Sequence, residues 1–223
     1  MLECHSQLIT RGHLPNILFI DGGGAEVEFL QTATDVANLA AYTFVGQNLG
    51  AASADRYIIV AYAGIGTNGI TSVSVGGVGA TLLTPAVSGS NFTTGIAIAA
   101  VPSGATGDIV VDLAGSSTSC TIAVFRAVKL LSATAFHSVQ STDIDPSIAL
   151  NIPAAGFAIG MGQTGSSAGA ATWTGLTERS EVVVENSVAT SACDNLPNAE
   201  TGRTVGITFV GSSAGASAYA SWG

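Results

Sequence analysis

The sequence predicts an all-β protein, an antiparallel β-sandwich or jelly roll preceded by an irregular N-terminal arm. Three observations predict it. Short apolar runs recur along the chain with Gly, Pro, Ser and Thr between them, as in many short strands joined by tight turns. Some runs alternate with period two: Ile70-Thr-Ser-Val-Ser-Val75 puts one set of side chains on a core and the other toward solvent. The intervals also leave no room for the helices of roughly 10–15 residues that a βαβ fold requires.

Residues 1–40 differ from the rest. They hold His5, His13, the triple glycine Gly22 to Gly24, and a mixed stretch in which Glu26, Glu28 and Asp35 alternate with Val27, Phe29, Leu30, Val36 and Leu39. A short helix or an irregular arm fits this composition. Residues 41–223 read as one sandwich domain. Its strands are Arg56 to Ala63, Ile70 to Val75, Val78 to Leu83, Gly95 to Val101, Asp108 to Ala114 and Thr118 to Val128. They continue with Ser147 to Ile152, Gly156 to Gly162, Thr172 to Leu176, Glu181 to Asn186, Thr204 to Val210 and Ala216 to Trp222. Gly76-Gly77 marks a tight turn, and Pro102 to Gly107 a longer one. No repeat of the propeller or solenoid type is visible, and no linker divides the chain.

Several strands are apolar on both faces. Tyr57, Ile59 and Ala61 alternate with Ile58, Val60 and Tyr62. A lone sandwich keeps one face of each sheet wet, so either the second face is covered or its small residues simply tolerate water. A neighbouring subunit would cover it, and the absence of edge lysines, which protect exposed strands, points the same way. The expectation is a homo-oligomer.

Charge excludes several functions. Only 9% of residues are charged and the net charge is -9, against about 25% charged in an ordinary soluble domain. Arg11, Arg56, Arg126, Lys129, Arg179 and Arg203 are scattered singly, so there is no basic cluster to release counterions from nucleic acid or to hold an anionic membrane. With 47% hydrophobic residues the chain is no disordered polymer. Cys4, Cys120 and Cys193 have no zinc-type spacing. Cys120 reads as a small buried hydrophobe, and a Cys4–Cys193 bridge stays open. The first residues lack the basic segment and long apolar run of a signal peptide. No stretch reaches the ~20 apolar residues of a spanning helix.

Motifs that carry chemistry occur without their context. Gly64-Ile-Gly66-Thr-Asn-Gly69 and Gly160-Met-Gly162-Gln-Thr-Gly165 match the dinucleotide fingerprint, yet a strand and a loop follow where a helix N-terminus must hold the pyrophosphate. Ser167 and Ser213 sit in G-x-S-x-G stretches, but His137 lies upstream of both and no helix is expected after them. Asp143 and Asp145, like Asp108 and Asp112, are isolated pairs without the further oxygen ligands calcium needs. No catalytic, cofactor or metal residue is assigned. Trp173, Tyr219 and Trp222, set among small residues, are the candidates for a glycan-stacking platform or an interface anchor.

The stretches Ala41 to Gly50, Asp55 to Val60, Ile70 to Val78, Ile98 to Val111 and Ala171 to Thr177 resemble a β-rich, jelly-roll-type module of tailed-bacteriophage virion proteins. The resemblance covers roughly Ala41 to Gly223. It implies a non-enzymatic virion component that is a homo-oligomer and needs no cofactor. The family includes head-decoration (cement) proteins and tail or fibre modules. Its partners would then be the major capsid protein or tail proteins, and its location the virion, assembled in the host cytoplasm.

Overall fold

The computed structural model describes residues 23–66, 68–88, 92–165, 171–211 and 214–223. The expected all-β class is what the chain forms: every regular element among the described residues is a strand, and every strand pair is antiparallel. In chain order the first half holds β1 (Glu26–Asp35), β2 (Leu39–Asn48), β3 (Tyr57–Ile65), β4 (Ile70–Val75), β5 (Val78–Gly79), β6 (Thr81–Ser88), β7 (Phe92–Ala100), β8 (Thr106–Ser117) and β9 (Ser119–Val128). The second half holds β10 (His137–Ser141), β11 (Ser147–Ile152), β12 (Gly156–Thr164), β13 (Ala171–Thr174), β14 (Glu178–Val184), β15 (Ser187–Leu196), β16 (Glu200–Phe209) and β17 (Gly215–Trp222).

The two halves are wired alike. In each, the first strand pairs with the last, the second with the next to last, and the third with the third from last: β1·β9, β2·β8, β3·β7, then β10·β17, β11·β16, β12·β15. That nesting is the jelly-roll connection. The inner sheets run β1-β9-β3-β7-β6 and β10-β17-β12-β15-β14, and the outer sheets β2-β8-β4-β5 and β11-β16-β13. Element by element the orders coincide, except that the first half adds β5. There, one extended segment starts in the outer sheet as β5 and crosses at Ala80 into the inner sheet as β6.

The four sheets stack as outer, inner, inner, outer. Ile58, Val60, Tyr62, Ile122 and Val124 of the first inner sheet pack on Tyr42, Ile109 and Val111 of its outer sheet. Ile59, Ala61, Ile96 and Phe125, pointing the other way, meet Phe157, Ile159, Met161 and Trp222 of the second inner sheet. Behind that sheet, Ala158, Ala192 and Tyr219 meet Leu150, Ile152 and Val205. The strands apolar on both faces are therefore the central strands of the two inner layers. The cover that sequence reasoning sought from a neighbouring subunit is the other half of the same chain.

Polar contacts fasten this seam. Val27 N–H donates to Asn195 Oδ1 (2.8 Å), and Asn195 Nδ2 donates to the Val27 carbonyl (3.0 Å), so one side chain imitates a strand partner across the two halves. Trp222 stacks on Phe157 with ring centroids 5.3 Å apart, and its Nε1 donates to the Ala133 carbonyl at 3.2 Å.

Other differences from the expectation have physical causes. Of the expected arm 1–40, residues 1–22 lie outside the described residues, while Glu26–Asp35 is a full edge strand and β2 begins at Leu39. The glutamates that suggested an amphipathic helix stand on the exposed side of β1, where Glu26 and Glu28 face solvent and Val27 enters the core. The single sandwich expected over 41–223 is two, joined by Lys129 to Phe136; that connector holds no Gly or Pro and so looked like an ordinary apolar stretch. Strand β15 was not expected at all. Its Ser-Val-Ala-Thr-Ser-Ala-Cys run is buried on both faces, and its mostly small, partly polar side chains lack the bulky apolar alternation by which a strand is read from sequence. Gly76 and Gly77, both at positive φ (57° and 81°), make the expected two-residue turn between Val75 and Val78.

The connector is exposed, with Leu131 93% accessible, while the seam is broad and apolar. A protease site inserted after Ser132 should therefore be cut without separating the halves. Size-exclusion chromatography in native buffer is expected to show one particle of unchanged size, and denaturing electrophoresis two fragments. Separation of the fragments in native buffer would mean the seam is too weak to hold unaided.

Candidate functional site

Of the three aromatics offered as a glycan platform, two are core residues and one is half-buried. Trp222 and Tyr219 have no accessible surface, the first in the seam and the second between the inner and outer sheets of the second half. Trp173 on β13 is half-buried; its ring meets Tyr219 edge to face (centroids 6.1 Å, 77°), and its Nε1 donates to Thr190 Oγ1 at 2.8 Å. Gly160 beneath it leaves the space the indole fills, since a Cβ there would lie 2.5 Å from Trp173 Cζ3. Tyr219 and Trp222 therefore offer no ring face to a sugar, and of the three Trp173 alone keeps part of its surface exposed. Trp222 does anchor an interface, but one internal to the chain.

The glycine motifs are packing features. Gly160 and Gly162 lie in mid-β12 under Trp173, Ile207 and Phe209, so the second fingerprint is a strand over which the outer sheet closes. Gly64 and Gly66 end β3 against Ser117, and β4 follows after a short connection. Ser167 and Ser213 lie outside the described residues, as do Cys4, His5 and His13. Cys193 is buried on β15 in the seam, and Cys120 is buried beneath the outer sheet of the first half; burial pushes both thiols up, away from the reactive thiolate.

The acidic pairs are consumed locally. Asp108 Oδ1 accepts from Gly46 N–H (2.8 Å) and Asp112 Oδ2 from Ser72 Oγ (2.6 Å). Asp143 Oδ2 accepts from Ser141 Oγ (2.9 Å), whereas Asp145 Oδ1 accepts from Phe209 N–H (2.9 Å). His137 Nδ1 accepts from Asn151 N–H at 3.0 Å and so ties β10 to β11. Among the described residues no three His, Cys, Asp or Glu converge as metal ligands.

The residue that sequence reasoning passed over is Arg56, counted there only as one scattered charge. It is 1% exposed, and its guanidinium fork donates to five backbone carbonyls. Nε reaches Val101 (2.6 Å), Nη1 reaches Leu49 (3.1 Å) and Gly50 (2.9 Å), and Nη2 reaches Ser103 and Gly104 (both 2.7 Å). The two loops so joined, after β2 and after β7, carry carbonyls with no ladder partners. The rigid five-donor fork meets that need where lysine could not. Burial, then the nearby Arg126, lowers its pKa, but a guanidinium stays charged. The available signal was turn chemistry, Asn48-Leu-Gly50 shortly before Arg56 and Pro102-Ser-Gly104 after β7, two loops that the pairing of β3 with β7 brings to the same end of the sheet.

The other described cations are also engaged. Lys129 Nζ pairs with Glu26 (2.7 Å), Arg179 with Asp194 (3.4 Å), Arg203 with Glu200 (2.7 Å), and Arg126 Nε donates to the Ala51 carbonyl (2.9 Å). None is grouped with another for phosphate. Two shallow clefts open at the seam, one of about 270 Å³ by Glu26, Asn195 and Pro197, the other of about 250 Å³ by Ile65, Phe92, Glu185 and Ser187. What the surface otherwise offers is the outward faces of the outer sheets. One shows Thr43, Val45, Ser72 and Asp112; the other shows Ala149, Thr172, Thr174, Thr204 and Thr208. No helix among the described residues is long and apolar enough to cross a membrane.

No family model matches the chain, and no curated protein is matched. One solved structure, described as the crystal structure of PBSX exported protein XepA, aligns over 88% of this chain and 86% of that one, with 11% identity and a TM-score of 0.20. A likeness of that size carries no argument about this chain.

Three outcomes are expected. Arg56→Lys should lower unfolding free energy by ~3 kcal/mol, because at least two buried carbonyls lose their donor at about 1–3 kcal/mol each; chemical denaturation measures it. Trp222→Ala should cost about 3–5 kcal/mol as a cavity opens in the seam. The third concerns Asp55, whose carboxylate accepts from Ser53 Oγ and Lys129 N–H (2.9 Å) and is held below its ordinary value of 3.8. A depressed folded value gives stability that is present above the unfolded value and lost as pH falls through the folded one. Asp55→Asn should therefore be less stable than wild type near neutrality, and the gap should close below about pH 4 in denaturation series across pH.

Proposed function

We propose that this chain is a non-enzymatic structural component of a tailed-bacteriophage particle, a capsid-exterior decoration (cement) protein that stabilises the shell through subunit contacts. The observation that carries the reading is where the chemistry goes. Among the described residues, the polar side chains singled out above as candidates are spent on holding backbone and layers together, while faces of small, mostly uncharged residues point outward. The resemblance of Ala41 to Gly223 to virion modules supports it. Exposed apolar residues such as Val36, Val45, Phe136 and Val210 supply area for contacts with shell subunits or with copies of the chain, at ~25 cal/mol per Å² before the cost of association. A chain of net charge -9, whose described cations are paired or bound to carbonyls within the chain, suits a partner made of protein rather than nucleic acid. The rival reading, a tail or fibre module that stacks host glycans, relies on Trp173, Tyr219 and Trp222; the burial of Tyr219 and Trp222 leaves it the half-buried Trp173.

Quantitative mass spectrometry of purified particles, with gold labelling of the intact virion, tests the proposal. A copy number on the scale of the shell's own subunits, with label over the head, is the expected result. A handful of copies, or label confined to the tail, would overturn it.

A further inference from the structure

We infer that Asn68 is a site of spontaneous deamidation whose product unfastens the β3–β4 connection from β8. Asn68-Gly69 is the one Asn-Gly pair in the sequence. It lies between Ile65, where β3 ends, and Ile70, where β4 begins, outside both ladders and half-buried. With no side chain on Gly69 to obstruct it, the Gly69 backbone nitrogen, on losing its proton, attacks the Asn68 side-chain carbonyl carbon. A carbon–nitrogen bond closes a five-membered succinimide, and the side-chain amide leaves as ammonia. Water then opens the ring at either carbonyl to give aspartate or isoaspartate. The proton loss makes the reaction faster as pH rises.

The structure gives this change a consequence. Asn68 Nδ2 donates to the Ser116 carbonyl at 2.7 Å, and the amide lies over Gly115, where a Cβ would come within 2.8 Å of Asn68 Oδ1. The product carboxylate has no N–H for Ser116 and sets negative charge against that carbonyl. Isoaspartate also inserts a carbon into the backbone beside Gly69, whose carbonyl accepts from Ala114 N–H at 2.9 Å. Aspartate thus removes the tie through Ser116, and isoaspartate disturbs the tie through Gly69 as well. The same corner holds Ser117, whose Oγ donates to the Ile65 and Ser119 carbonyls (2.6 and 2.8 Å) and whose own carbonyl accepts from Tyr42 OH (2.5 Å). The one side-chain bond to Ser116 slows the reaction; it does not replace the reactive pair. The other described asparagines precede larger residues, and Asn48, Asn151 and Asn195 are held by bonds of their own, to Gly50, Gly202 and Val27.

The test incubates the full chain in mildly alkaline and mildly acidic buffer and follows each asparagine by peptide mass mapping with isoaspartate detection. Conversion at Asn68 is expected to outpace that at Asn186 and Asn198 several-fold, to quicken in the alkaline buffer, and to fall in Gly69→Ala. Hydrogen exchange over residues 65–70 and 113–119 is expected to rise in the aged protein, and Asn68→Asp should reproduce the rise. Conversion at Asn68 no faster than at Asn186 would overturn the site, a comparison that needs no variant. Unchanged exchange in Asn68→Asp would overturn the unfastening.

Discussion

Two five-stranded sheets meet face to face through the middle of the molecule, and each can do so only because its opposite face is already covered by a sheet of its own half. A strand such as β3 therefore needs apolar side chains on both sides, Ile59 and Ala61 toward the seam, Ile58 and Val60 away from it. Burial on two faces removes the usual polar stripe of a sandwich strand, and the chain becomes poor in charge as a result. The low charge that first suggested hidden intermolecular surfaces is largely a record of this internal lamination.

Close layers also dictate the unusual role of glycine and alanine. Where a large ring must come down onto a sheet, as Trp173 does onto β12, the strand below gives up its side chain at Gly160. Within the first inner sheet, Gly95 makes room in another way: the phenol of its cross-strand partner Tyr62 occupies the space a Cβ there would need. The ends of the layers pose a different problem, because turn carbonyls buried by neighbouring loops have no ladder to join. Arg56 answers it in the first half with one side chain and five bonds.

The class of fold was legible because period-two alternation and paired glycines are local signals. Ile70 to Val75 and the turn at Gly76-Gly77 needed no tertiary information. The duplication was illegible because topology, not sequence, is what the halves share. Tyr57-Ile-Ile-Val-Ala-Tyr and Gly156-Phe-Ala-Ile-Gly-Met occupy the same place in the wiring with almost no residue in common. Strand β15 was hidden by its small residues, and β1 by its glutamates. At the candidate site, the aromatics were visible but their burial was not, since Trp222 among alanines and serines reads the same whether those neighbours are surface or seam. Arg56 was invisible as a clamp because its partners are backbone atoms, which leave no trace in composition.

The extra strand β5 breaks an otherwise matched pair of halves. Four strands tile one outer layer and three tile the other. The body therefore has a distinguishable front and back although its wiring is doubled. A contact made through one outer layer is therefore not one that the other layer duplicates.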